Sequence, residues 1–261
     1  MTKFKILSLV TLAVLIVAMF AVGCSKKSET TQETAAPAQN APTPINQSTV
    51  GAITGKISYT GAKPSPKVIH METEPACMAA NTGPVYTQEI EVNPNNTLKD
   101  AFVAVTDGLG NYSFTTPTTP VILDQKGCTY HPHVLGLMAG QELQVVNSDN
   151  TTHNIHPIPK DNPEWNTSMP PHAQPLDKKF NRPELMIPVK CNVHPWMKAY
   201  IGVMKNPYFS VTGSDGTFEI KGLPPGEYTL TAWQEKLGTQ TMKVTVGPKE
   251  TKTADFTFKG E

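Results

Sequence analysis

Apolar residues recur at every second position over short stretches of this chain. Ile53, Gly55, Ile57 and Tyr59 fall on one side of an extended segment, and Thr54, Lys56 and Ser58 fall on the other. A looser alternation marks Leu143–Asn147, Phe218–Ile220, Tyr228–Trp233 and Met242–Val246. Turn formers stand between these runs at Thr60-Gly61, Asp107-Gly108, Asn147–Asn150, Ser214-Asp215-Gly216 and Pro224-Pro225-Gly226. No window of a dozen residues holds a 3.6-residue period, so the pattern predicts an all-β protein of short antiparallel strands packed as sandwiches.

Composition agrees with that picture and narrows the function. Prolines (24) outnumber glycines (18) and only 17% of residues are charged, which favours strands and turns over long helices. At 261 residues the chain holds one large domain or two small ones. Lys+Arg 22 against Asp+Glu 22 leaves no cationic excess, so nucleic acid is not an expected partner.

The N-terminus breaks the β pattern. Lys3 and Lys5 precede an uncharged, mostly apolar run from Ile6 to Val22, the arrangement of a secretory signal. The ending Ala21-Val22-Gly23-Cys24 resembles the bacterial lipobox, in which the cysteine is lipidated. That resemblance implies a signal peptide over 1–24, lipidation at Cys24 and an extracytoplasmic protein anchored to a bacterial membrane, in the periplasm or at the cell surface. Residues 25–50 are rich in Ser, Thr, Gln, Ala, Pro and Asn and have too little apolar surface to offset the entropy of ordering. They are expected to form a disordered tether with a reach of about 30 Å.

Candidate chemistry gathers between Asn147 and Met204. His153 follows a turn, and Cys191, His194 and Met197 stand at i, i+3 and i+6 around Pro195. That spacing cannot aim three side chains one way from a strand, whereas a tight loop can wrap them around one ion. A thiolate, two imidazoles and a thioether suit copper, and two His with one Cys and a weak axial Met is the blue-copper arrangement.

The same stretch resembles the cupredoxins of the amicyanin and plastocyanin type. The resemblance rests on Cys191-Asn192-Val193-His194-Pro195-Trp196-Met197, on the approach from His133 to Asn147, and on the flanking runs Met186–Lys190 and Lys198–Met204. It implies one mononuclear type 1 copper held by His153, Cys191 and His194 with Met197 axial. Asn154 and Pro195 would support these ligands. His194 would be the exposed ligand through which electrons pass, with Pro195 and Trp196 as the apolar docking rim. The implied protein is no enzyme but a single-electron carrier between redox proteins, such as a cytochrome c and a periplasmic dehydrogenase or oxidase. Lys178, Lys179, Lys190, Lys198 and Arg182 are placed to steer an acidic partner. A periplasmic copper-delivery protein would use the same donors. A nitrite reductase would need a second copper with its own histidine set, for which one chain shows too few candidates unless a trimer shares His131 and His133 across subunits.

With Cys24 given to lipid and Cys191 to metal, Cys77 and Cys128 remain, and an oxidising compartment favours a disulfide between them. Two free thiols, or a second metal site of Cys128 with His131 and His133, are the alternatives. His156 and His172 are expected to be solvated loop residues.

Residues 209–230 resemble the carboxypeptidase regulatory-like β-sandwich, also described as transthyretin-like or carbohydrate-binding-like, and Gly51–Ile57 fits its first strand. The two resemblances together imply a discontinuous sandwich over 51–95 and 206–261, with a cupredoxin-like Greek-key copper domain, 96–205, inserted in it. Alternation sends Tyr228 and Trp233 to opposite faces, so the sandwich is expected to be a scaffold. A carbohydrate or cell-surface binding module is the other reading.

Overall fold

The computed structural model describes residues 42–260. The predicted signal segment, Cys24 and most of the predicted tether lie outside the described residues. β1 (Gly51–Thr60) carries the alternation read at 53–59 and is followed by a short helix, α1 (Pro75–Ala79), and by β2 (Phe102–Asp107). Nine strands come next: β3 (Val121–Lys126), β4 (Thr129–His131), β5 (Val134–Met138), β6 (Glu142–Asn147), β7 (His153–Pro157), β8 (Thr167–Met169), β9 (Leu176–Lys179), β10 (Glu184–Lys190) and β11 (Lys198–Met204). The chain closes with β12 (Phe209–Val211), β13 (Thr217–Leu223), β14 (Gly226–Gln234), β15 (Gly238–Val246), β16 (Thr251–Thr253) and β17 (Phe256–Lys259). The fold is all-β. The helix begins with Pro75, whose fixed φ and missing N–H suit a first helical turn, and is too short to show a helical period.

The strands form four sheets that enclose two main cores. In the first sandwich, a sheet ordered β13-β1-β16, with β17 also on β1, packs on a sheet ordered β12-β2-β14-β15. Ile53, Ile57, Val103, Phe218, Leu230 and Phe256 share its core. Along β13, Phe218 and Ile220 are buried while Thr217, Glu219 and Lys221 are exposed, the period-2 pattern of a sheet wetted on one side. In the second, sheets ordered β5-β11-β10-β7-β8 and β4-β3-β6-β9 enclose Leu123, Tyr130, Leu137, Val145, Ile155 and Ile201.

The placement of β2 corrects the boundary expected at 95/96. Phe102–Asp107 pairs with β14 and β12, so it belongs to the first sandwich and not to the inserted segment. The physical reason is burial on both faces. Val103 and Val105 point into the first core, while Phe102 and Ala104 pack with Val134, Met186 and Met204 of the second sandwich. Gly202 of β11 and its cross-strand partner Gly136 of β5 leave the space this contact needs. A Cβ at Gly202 would lie 2.5 Å from Phe102, and one at Gly136 would lie 2.6 Å from Phe209.

Candidate metal centre

His153 opens β7, Cys191 follows the last residue of β10, and Met197 precedes the first residue of β11. Because Lys190 pairs with Lys198 across β10 and β11, residues 191–197 form a closed loop between two fixed strand ends. Inside it the Met197 N–H donates to the His194 carbonyl at 2.9 Å, and the Cys191 N–H to the Met197 carbonyl at 3.3 Å. β7 pairs with β10, which brings His153 beside the loop.

The side chains of His153, Cys191 and His194 converge, with one donor atom from each lying within 4.8 Å of the others. The two Nδ1 atoms of His153 and His194 are 2.9 Å apart, and Cys191 Sγ is 3.9 Å from His194 Nδ1. His153 and His194 are 0% exposed and Cys191 is 2% exposed, so the cluster is sealed from water. Met197 is fully buried in the same core. The N–H groups of Asn154 and His194 point at Cys191 Sγ at 3.4 and 3.3 Å. Asn154 accepts the Asn192 N–H through Oδ1 and donates through Nδ2 to Asn166, tying β7 to the loop.

Asp149, which the sequence places only in the turn at Asn147–Asn150, sets the orientation of His153. Its Oδ2 lies 2.8 Å from His153 Nε2. A carboxylate there assigns the imidazole proton to Nε2 and leaves the Nδ1 lone pair facing the cluster. The same carboxylate accepts the N–H groups of Gly127 at 2.7 Å and Cys128 at 2.8 Å. Those two residues form the β3–β4 hairpin loop, both at positive φ (62° and 56°), the requirement of a type I′ turn.

Burial pushes the Asp149 carboxyl up, but the bonds from His153, Cys128 and Gly127 outweigh it and hold it below the ordinary carboxylate range. Burial pushes His153 down, and its bonds to Asp149 and Cys191 bring it above the usual imidazole value. The Cys191 thiol is raised by burial and then lowered further by His153 and the surrounding N–H groups, ending below a free thiol. His194 is lowered, first by burial and then by the charge of His153.

The structure overturns the expectation that His194 is exposed. A Cys77–Cys128 disulfide joins α1 to the β3–β4 turn, with Cα atoms 5.5 Å apart. Cys77 Sγ lies 3.6 Å from His194 Nε2. The Trp196 ring covers another side of His194 at a centroid distance of 5.2 Å and donates from Nε1 to the Cys128 carbonyl at 3.0 Å. Trp196 is therefore half-buried, while Pro195 is exposed.

The other histidines are spoken for or point elsewhere. Cys128 is spent on the disulfide, His131 is exposed with Nε2 2.7 Å from Thr129 Oγ1, and buried His133 meets Glu235 at 2.5 Å. These three form no second metal site. His156, expected to be solvated, is held by Glu164 at 2.6 Å and Asn192 at 3.2 Å, whereas His172 is exposed. Tyr228 is buried and donates to the Pro224 carbonyl, and Trp233 packs on Tyr200 at 4.9 Å, so neither ring belongs to an open aromatic platform.

The family model of the carboxypeptidase regulatory-like domain matches residues 203–259. No curated protein matches the chain. Among solved structures, a copper-containing nitrite reductase from Thermus scotoductus SA-01 is similar at 24% identity and a TM-score of 0.30, over 35% of this chain. This chain spans 24% of that protein's length. A reduced amicyanin variant is similar at 20% identity and a TM-score of 0.29, over 32% of this chain and 81% of its own. A purple cupredoxin from Nitrosopumilus maritimus is similar at 22% identity and a TM-score of 0.25, over 29% of this chain and 81% of its own.

Proposed function

We propose that this protein is an extracytoplasmic, membrane-tethered type 1 copper protein that carries single electrons between redox partners. The observation that carries the reading is the sealed convergence of one cysteine sulfur with two imidazole nitrogens. Cys191, His153 and His194 would hold the ion, with Met197 supplying the thioether from the same loop. This mixed soft and borderline donor set fits copper. Bound copper supplies one-electron chemistry between its Cu(II) and Cu(I) states.

The chain's own residues prepare the site. Asp149 fixes the His153 tautomer, and the N–H groups of Asn154 and His194 stabilise the thiolate. Strands β7, β10 and β11 hold the donors in place, which keeps reorganisation small. Burial excludes water and competing ligands. The cover over His194 makes Trp196 and the Cys77–Cys128 pair the groups nearest its outward side, with Pro195 exposed beside them. A redox protein such as a cytochrome c would dock there through a small interface. The disulfide agrees with an oxidising compartment, and Cys24 would supply the lipid anchor.

The test is a titration of the full chain in detergent with Cu(II), followed by visible absorption and EPR, beside Cys191→Ser. We expect an intense thiolate-to-copper band that ascorbate bleaches reversibly and that Cys191→Ser lacks. A colourless wild-type protein, or a spectrum that the substitution leaves unchanged, would overturn the reading.

A further inference from the structure

On the Nε2 side of His194 the cluster is walled by the Cys77–Cys128 disulfide, whose reduction would free two soft metal donors. His194 lies between two donor sets, with Nδ1 facing His153 and Cys191 and Nε2 facing Cys77. Cys77 Sγ, Cys128 Sγ and a His194 nitrogen all lie within 4.8 Å of one another, and all three residues are 0% exposed. A groove of about 360 Å³ runs to this wall from the surface, lined in part by Met71, Cys77 and Met78. Met78 is 52% exposed, so a thioether stands at the groove, whose lining also includes the buried Cys77. Glu74 lies over the same edge, with its carboxylate 3.9 Å from His194 Nε2. A metal ion cannot reach the sealed His153–Cys191–His194 cluster without passing some wall, and this one carries the Met78 thioether and, once the disulfide is reduced, two thiols.

We propose that Cys77 and Cys128, in their dithiol form, bind Cu(I) together with Nε2 of His194 and so form an uptake site beside the main centre. The inference rests on copper being the cargo of that centre. Thiolate and thioether donors select Cu(I) over harder cations. Binding replaces the two S–H protons with the metal, and both protons leave to solvent. The dithiol form exists before the disulfide closes. Once Cu(I) has left, closure follows by exchange with the disulfide of an oxidised dithiol oxidoreductase: the S–S bond of that partner breaks, the Cys77–Cys128 bond forms, two electrons pass to the partner, and its two thiols take their protons from solvent. Neutral imidazole has one lone pair, so His194 serves one donor set at a time.

The experiment uses the full-length Cys191→Ser chain, which lacks the thiolate of the main centre. Cu(I) affinity is measured anaerobically by competition with bicinchoninate, on the oxidised protein and after phosphine reduction. Reduction should raise the affinity at least tenfold, at one Cu(I) per chain. Carbamidomethylation of the reduced, still folded protein with iodoacetamide should abolish the gain, as should Cys77→Ser/Cys128→Ser in the same background. A gain below tenfold, or one that survives alkylation, would overturn the proposal. Alkylation needs no further substitution, so the outcome stands even where the triple variant does not fold. The blue-copper reading fails independently, on a colourless wild-type protein, because Cys191 takes no part in this measurement.

Discussion

Replacing Asp149 by Asn exchanges one carboxylate oxygen for an NH₂ group at the point where the hairpin, the disulfide and a candidate ligand meet. The carboxylate of Asp149 takes three donors: the Gly127 N–H on Oδ1 at 2.7 Å, and the Cys128 N–H and His153 Nε2 on Oδ2, each at 2.8 Å. An amide has one acceptor oxygen, and its NH₂ group must face at least one of these N–H groups. In the better orientation the oxygen serves Cys128 and His153, and the bond from Gly127 is lost. A hydrogen bond to a charged group contributes about 1.5–3 kcal/mol and a neutral one about 0.5–1.5 kcal/mol. One lost bond and two weakened ones at a buried site amount to about 3 kcal/mol, or a Tm lower by about 6–12 °C for a domain of this size. Urea and thermal unfolding of the metal-free full chain at neutral pH measure it. The depressed carboxyl contributes stability above its unfolded pKa of about 3.9, and that contribution is lost as pH falls through the lower folded value. The deficit of Asp149→Asn should therefore shrink in acid. A variant within about 1 kcal/mol of wild type at neutral pH would refute the shared-carboxylate argument. Copper affinity should fall about 10–100-fold in the same variant, because a neutral amide oxygen holds the His153 Nε2 proton more weakly than the carboxylate does.

Three further outcomes follow from the fold. Gly202→Ala puts a Cβ 2.5 Å from Phe102 and should cost about 1–3 kcal/mol by overpacking the seam between the sandwiches, read as a lower Tm; an unchanged Tm would show that the seam is slack. Glu235→Ala leaves Nε2 of the buried His133, which now meets Glu235 at 2.5 Å, without its partner and should cost about 1–3 kcal/mol in urea unfolding; a loss under about 0.5 kcal/mol would mean that the pair contributes little. The Glu184 carboxyl is pushed up by burial and, more strongly, held down by N–H groups of Lys160, Asp161 and Asn162. Its contribution is present above an unfolded pKa of about 4.3 and vanishes below its folded value, so the stability gap between wild type and Glu184→Gln should close between pH 7 and pH 3, and a constant gap would contradict this.

Strands with one wet face were legible in the sequence, and those without one were not. The alternation of Ile53, Ile57 and Tyr59 in β1 and of Phe218 and Ile220 in β13 reports a half-buried sheet. β2 carries four consecutive buried residues, Phe102–Val105, because it has a core on each side, and such a run has no period to read. α1, β4, β8 and β16 are too short for any period. At the site, the spacing of Cys191, His194 and Met197 around Pro195 announces a wrapping loop. Asp149 left no comparable signal, since an aspartate in a turn is ordinary on its own account. The burial of His194 was hidden for a different reason: Cys77 and Glu74, which cover it, lie far away in the sequence and reach it only through tertiary structure.

That cover ties the His153–Cys191–His194 cluster to the first sandwich. β1 and β2 both belong to the first sandwich, yet the segment joining them leaves it to run over the second. On the way it pairs Ile69 with Val85, buries Met71 in the core that holds Cys191, forms α1, and is fastened to the β3–β4 turn through Cys77. It then returns to β2, whose Phe102 is seated against Gly202 of β11, the strand that follows Met197. The cluster is thus held from two sides by the first sandwich: the β1–β2 connection caps His194, and β2 backs the sheet that carries the ligand loop. A second sandwich cut free of the first would lose both, leaving His194 open to solvent and β11 without its packing partner.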